Sequence, residues 1–309
     1  MPRYLLFVLA TLMFNVSTFG DDPEKPYRVN KDIEYAAVKE HRLLLDLYLP
    51  IIRKVDGAKS QGTQRPPLVV WVHGGAWRSG SKSKMPLTDL VENGFAIASV
   101  DYRLSPVAQF PAQIHDCKAA IRFLRGNAAK YGYDARRVGV AGSSAGGHLA
   151  ALIGVTNNHL KLEGVAGDYQ KNNSSIQAIV DYYGPTNFTT ILQQSTPHGL
   201  SVRVPALDLL LGDGPEQKPE LAKLASPVFH VTKDDPPLLL IHGDQDPQVP
   251  INQSHELHGV YKKLKLTSQF EVVHGGAHGG ADFYDKRRNR LVREFFAKHL
   301  VAKQIKLPQ

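Results

Sequence analysis

The chain has almost no cysteine: Cys117 is the only one among 309 residues. A single thiol cannot close an internal disulfide, and it cannot supply the Cys/His spacing of a structural zinc site. No GxGxxG or GxxxxGK[ST] loop occurs, so the backbone cradles that hold dinucleotides and triphosphates are missing and no cofactor is expected. Acidic side chains are fewer than basic ones, 29 against 37, for a formal charge of +8. An excess of that sign can serve nucleic acid, an anionic polysaccharide or a membrane surface. Here Lys and Arg are scattered, and the densest run, Lys286-Arg287-Arg288-Asn289-Arg290, falls in a segment that reads as a C-terminal helix. Nucleic-acid binding is therefore not expected.

The apolar stretch Tyr4 to Phe14 follows Met1-Pro2-Arg3 and is too short to span a bilayer well. One positive charge precedes it, and the small residues Thr18 and Gly20 follow it at the −3 and −1 positions of a cleavage site. Residues 1–20 read as a secretory signal peptide, cut before Asp21, and no cysteine follows that could carry a lipoprotein anchor. The expected product is exported, has no stable membrane insertion, and relies on its core rather than on disulfides. Apolar content is 42%, enough for a sizeable core in one large domain over 21–309.

Residues 33–38 and 43–49 read as two strands, the second with Leu43, Leu45, Leu47 and Leu49 alternating against Leu44, Asp46 and Tyr48, a half-exposed pattern. A polar linker runs from Arg53 to Pro67. The later runs are short and almost wholly apolar: Leu68 to Val72, Phe95 to Val100, Val138 to Val140, Ile176 to Tyr182 and Leu238 to Ile241. Strands apolar on both sides are buried on both sides, as in a parallel sheet. Helical patterns lie between them, clearest at 112–131, where Ile114, Ala120, Ile121 and Leu124 share a stripe. The alternation predicts an open α/β sheet. Residues 193–220, rich in Pro, Gly and polar side chains, are the best candidate for a small cap insertion.

What the chain does possess is Gly142-Ser143-Ser144-Ala145-Gly146, a GxSxG pattern placed between an apolar run and a helix-friendly segment. Strand, sharp turn with a central serine, then helix is the setting of a nucleophile elbow. A serine hydroxyl needs a base to take its proton, and the base needs an orienting carboxylate. After the strand ending at Ile241 stand Asp244 and Asp246; Asp246 is deeper in the loop and stiffened by Pro247, while Asp244 reads as a turn cap. After the next strand stand His274 and His278; glycines around His278 let its loop fold over Ser144, while His274 at the strand end reads as structural. Negative charge on an attacked carbonyl oxygen needs preorganised N–H donors. The amides of Ala145, Gly75 and Ala76 are the candidates, the last two from His73-Gly74-Gly75-Ala76-Trp77. Trp77 reads either as a pocket wall or as core. Arg103 and Asp116 read as polar partners that fix loops.

These pieces resemble the α/β-hydrolase esterases with an HGG[GA]W loop, and within them the bifunctional feruloyl and acetyl xylan esterase-like proteins. The resemblance rests on VHGGAW at 72–77, VDYRLSP at 100–106, FPAQIHDCKAAIRFLR at 110–125, VAGSSAGGHLAAL at 140–152, DYYGPTNF at 181–188, PPLLLIHGDQDPQVP at 236–250 and GGAHGG at 275–280. It implies a mostly parallel eight-stranded sheet with helices on both faces and a Ser144, Asp246, His278 triad. It also implies hydrolysis of carboxylic esters, such as acetyl or feruloyl groups on polysaccharide or related small esters. Two departures stand out: Ala76 where the family often has a third glycine, and Asn187 where aspartate is commoner. Other acyl hydrolases on the same triad (a lipase, a peptidase, an arylformamidase) are the alternative, and a non-catalytic binding protein is a distant one.

Overall fold

The computed structural model describes residues 25–51 and 65–301. The expected signal peptide at 1–20 and most of the 53–67 linker lie outside the described residues. One sheet of eight strands organises the rest. In chain order these are β1 (Tyr27–Val38), β2 (His41–Pro50), β3 (Pro67–Val72), β4 (Ala96–Val100), β5 (Asp134–Ser143), β6 (Ala178–Tyr182), β7 (Leu238–Gly243) and β8 (Ser268–Val273). Their spatial order is β1-β2-β4-β3-β5-β6-β7-β8. β2 runs antiparallel to β1 and β4, and every other pair is parallel. The helices are α1 (Thr88–Glu92), α2 (Ala112–Tyr131), α3 (Ala145–Val155), α4 (Leu160–Glu163), α5 (Ile191–Gln194), α6 (Pro197–Leu211), α7 (Pro219–Leu224), α8 (Asn252–Lys263) and α9 (Lys286–Leu300).

Both faces of the sheet are covered, as the apolar strands predict. Successive residues of β3 separate cleanly between two clusters. Leu68, Val70 and Val72 join the core under α2, α3 and α8, with Ile114, Ile121, Leu149, Ile153 and Leu257. Val69 and Trp71 join the opposite core under α1 and α9, with Leu90, Val91, Val292, Phe295 and Phe296. Each large apolar side chain buried in this way contributes about 1.5–3 kcal/mol. Two such layers hold the sheet without any disulfide.

β2 departs from the half-exposed expectation. Leu43, Leu45, Leu47 and Leu49 face the core, but Asp46 on the other face is also buried. The reason is Lys82, whose Nζ lies 2.9 Å from the Asp46 carboxylate and 2.7 Å from Asp32. That ion cluster covers the polar face of β2 and ties the loop after β3 to it. Asp116 is buried in α2 and accepts from the Arg103 guanidinium at 2.8 and 2.7 Å, and from the Arg103 amide at 2.9 Å. The pair fixes the loop after β4, as read from the sequence.

Parallel strands deliver their C-terminal ends to one edge, and in open α/β sheets that edge forms the ligand crevice. The loops after β3, β5, β7 and β8 all emerge there. Residues 193–220 lie between β6 and β7 and are mostly helix, dominated by α6. Its Thr196 caps the helix by accepting from the Gly199 amide, and the same hydroxyl donates to the Pro247 carbonyl at 3.2 Å. The segment therefore rests directly on the loop that carries Asp246.

Candidate active site

β5 ends at Ser143, and α3 begins at Ala145, so Ser144 alone makes the turn. Its backbone sits at φ 54°, ψ −119°, a sparsely populated conformation. Neighbouring backbone over-determines it: the Ser144 amide donates to the Tyr182 carbonyl at 2.8 Å, and its carbonyl accepts from the His148 amide at 2.9 Å. Both flanking glycines are required by close approach. A Cβ on Gly142 would lie 2.1 Å from the Gly146 oxygen, and one on Gly146 would lie 2.0 Å from the Val72 oxygen.

The structure brings Ser144, His278 and Asp246 into one chain of hydrogen bonds. Ser144 Oγ lies 2.8 Å from His278 Nε2, and His278 Nδ1 lies 2.6 Å from Asp246 Oδ2. The Asp246 side chain is fully shielded, and its other oxygen accepts the Gln248 and Val249 amides at 2.8 and 2.9 Å. A second imidazole also reaches it. His242 Nε2 lies 3.2 Å from Asp246 Oδ2 and 2.9 Å from the Val249 carbonyl. Both of those partners are acceptors, so Nε2 carries the proton and Nδ1 faces the Ser254 hydroxyl at 2.7 Å. Sequence reasoning missed His242; its place four residues before Asp246 at the end of β7 was the available signal.

Burial opposes the charged form of Asp246, yet the hydrogen bonds from His242 and His278, the His278 charge and the Val249 amide together outweigh it. The carboxyl is held well below the usual carboxylate range. His278 is pulled down by burial, pulled up by Asp246, and lowered further by the nearby charges of Arg203 and His242; the net direction is down. A depressed imidazole stays neutral, and able to accept a proton, below the usual value near 6.5. Activity of this site is therefore expected to rise with pH along one ionisation with its midpoint below about 6.5 and to be flat through neutrality. A kcat/KM profile checks this; a midpoint above that value would contradict the reading of His278 as the base.

The competing candidates separate cleanly. Asp244 accepts from His274 Nδ1 at 2.9 Å and from the Gly275 amide at 2.8 Å, tying the two loops together as a turn cap does. His274 is exposed, and its ring is engaged by that carboxylate. Tyr183 supports the base instead, its ring 4.8 Å from the His278 ring at an edge-on 64°.

The His73 to Trp77 loop lies against the elbow: a Cβ on Gly74 would stand 3.3 Å from Ser144 Cβ. Gly75 adopts φ 112°, while Ala76 and Trp77 adopt φ 52° and 57°. Ala76 thus occupies the left-handed region without a glycine, which accounts for glycine being common there (strain of about 1–2 kcal/mol for an L-residue). Ala145 is the first residue of α3, where an amide has no intrahelical acceptor. Among the described residues, the amides of Gly75, Ala76 and Ala145 have no backbone acceptor.

Trp77 is wholly buried and belongs to the core cluster under α2 and α3. Its indole donates to His148 Nδ1 at 3.1 Å, and His148 Nε2 lies 2.6 Å from the Ala225 carbonyl. Burial pushes the His148 pKa down to about 4, only partly offset by that carbonyl. The neutral ring is thus the one that anchors the glycine-rich loop to α3. Asn187, the other departure, donates to Glu256 at 2.6 Å, where an aspartate would set two carboxylates against each other.

A family model described as BD-FAE matches residues 45–261 of the chain. Esterase LipC of Mycobacterium tuberculosis is 33% identical over 240 residues, covering 74% of this chain and 57% of LipC. The chain thus spans little more than half the length of that relative. Among solved structures, a truncated form of a carbohydrate esterase from gut microbiota has a TM-score of 0.76 at 34% identity, covering 89% of this chain and 97% of its own. A bifunctional GH43-CE protein of Bacteroides eggerthii has a TM-score of 0.74 at 33% identity, covering 87% of this chain and 35% of its own.

Proposed function

The chain belongs to the BD-FAE family of α/β-hydrolase esterases, and from that premise we propose that it is a carboxylic ester hydrolase working through a serine acyl-enzyme. The observation that carries this reading is the unbroken hydrogen-bond chain from Ser144 through His278 to Asp246. Ser144 Oγ attacks the ester carbonyl carbon while its proton passes to His278 Nε2. Asp246 holds Nδ1 and stabilises the imidazolium that forms. The oxyanion is received by the amides of Gly75, Ala76 and Ala145. Collapse breaks the bond to the alcohol, which leaves with the proton from His278. Water then attacks the acyl-enzyme, His278 takes its proton and returns it to Ser144 Oγ, and the acid departs. None of these steps requires a cofactor.

The substrate class we infer is an acyl group, such as acetyl or feruloyl, on a carbohydrate or a related small ester. The likeness to a carbohydrate esterase from gut microbiota and to a GH43-CE protein supports it. A panel of acetylated and feruloylated oligosaccharides beside simple aryl esters tests this, with the released acid measured for each. A fluorophosphonate label should at the same time modify Ser144; labelling of another residue, or no turnover of any ester, would overturn the reading. We further propose export of the chain, which the apolar stretch before Asp21 supports. N-terminal sequencing of the exported product should begin at Asp21, and an intact Met1 would rule out cleavage.

A further inference from the structure

We propose that Arg203 recognises a carboxylate on the substrate, so that the site's preferred ester is an anionic one. This deepens the ester-hydrolase reading and rests on it. Arg203 lies on the buried face of α6, with Gly199 one turn before it and Ala206, Leu207 and Leu210 after it. That face is turned toward the catalytic loops. A Cβ on Gly199 would stand 3.1 Å from the Pro247 carbonyl oxygen and 3.4 Å from that of Gln248, the two residues after Asp246. The Arg203 guanidinium carbon is 6.0 Å from the ring of Trp77, the residue following Ala76. Its charge is felt by His278, and it in turn feels Asp246.

Within this setting Arg203 has no acceptor among the described residues. The residue is 1% exposed, and its Nε and Nη1 have no hydrogen-bond partner. The other three buried cations among the described residues are all paired: Lys82 with Asp46 at 2.9 Å, Lys118 with Glu163 at 3.2 Å and Arg122 with Glu163 at 2.6 Å. Asp246 cannot serve Arg203, since its oxygens already receive two imidazoles and two amides. Burial brings the guanidinium pKa down to about 10, which leaves it charged at neutral pH. A buried guanidinium without a hydrogen-bond acceptor is unfavourable, and its planar face of donors is matched best by a carboxylate that takes two parallel N–H bonds. Arg78, exposed on the glycine-rich loop, adds positive charge close to Arg203. A substrate carboxylate brought to the guanidinium would supply the acceptor that the described residues do not.

The carboxylate can sit in either half of the ester, and matched pairs distinguish the two. For the acyl half, 4-nitrophenyl hydrogen succinate is compared with 4-nitrophenyl methyl succinate. For the alcohol half, an O-acetylated methyl glucuronoside is compared with the corresponding O-acetylated methyl glucoside. In the unaltered protein the anionic member of one pair is expected to be favoured at least ~10-fold in kcat/KM, mainly through KM. Arg203→Gln should bring that ratio close to one, and Arg203→Lys should restore part of it. A role limited to packing on Trp77 would leave the ratio where it was. Hydrolysis of the neutral members with no anionic preference in either pair overturns the inference alone. No hydrolysis of any of the four esters overturns the ester-hydrolase reading, and this inference with it. Both outcomes are read on the unaltered protein, so they stand even if an Arg203 variant fails to fold.

Discussion

Ser144→Ala is expected to reduce kcat for 4-nitrophenyl acetate by about 10⁶-fold, to the level that amide donors and binding alone sustain. The substitution removes one atom, whose hydrogen-bond partner is His278 Nε2 at 2.8 Å. It leaves the backbone demands unchanged, because alanine at φ 54°, ψ −119° meets the same strain as serine. Thermal unfolding should therefore shift by no more than about 1 kcal/mol, the scale of one lost hydrogen bond. Fold and activity are then separable in a single variant. A Ser144→Ala, His278→Ala double variant should be no slower than Ser144→Ala alone, since a base without a nucleophile has nothing to deprotonate. Retention of more than about 1% of the activity in Ser144→Ala would remove Ser144 from the mechanism.

The parts of this molecule that can be found in the sequence are those specified locally. GxSxG needs only five consecutive residues, and the structure shows why both glycines are needed: Gly142 and Gly146 face backbone oxygens at distances no Cβ allows. The preference for Asp246 and His278 over Asp244 and His274 rests on loop depth and glycine content, which act over a few residues. Strands buried on both faces declared themselves as short apolar runs, so the sheet was legible, and the family comparisons bear out that fold. The hidden parts depend on partners far along the chain. Trp77 could not be placed in the core until His148 met its indole, 71 residues away. Asp46 read as a solvent-facing position because nothing in β2 announces Lys82. Arg203 was invisible for a different reason. Its helix α6 contains Pro197, Gly199 and Pro205, which disguise a helical pattern, and tertiary packing overrode that poor propensity. His242 looked like one of thirteen histidines until the fold turned it onto the Asp246 carboxylate.

That double loading of Asp246 makes Asp246→Asn the most informative change after Ser144→Ala. An ionised carboxylate offers only acceptors, and here it needs to. Oδ1 takes the amides of Gln248 and Val249, while Oδ2 takes His278 Nδ1 at 2.6 Å and His242 Nε2 at 3.2 Å. An asparagine brings an NH₂ group that must face one pair of donors or the other. Facing the amides, it would oppose two fixed backbone N–H groups. Facing the imidazoles is the less costly choice, because a ring can exchange tautomers and a backbone cannot. His242 has little freedom to do so, since Val249 also requires its Nε2 proton. His278 is left to adapt: Nδ1 becomes the acceptor, and the proton moves to Nε2, which faces Ser144. A base whose receiving nitrogen is already protonated cannot activate the hydroxyl. The expected loss in kcat is about 10⁴-fold, with KM for a neutral ester much less affected. A loss of only a few-fold would mean that Asp246 serves chiefly to hold its loop and that the charge on His278 is stabilised elsewhere.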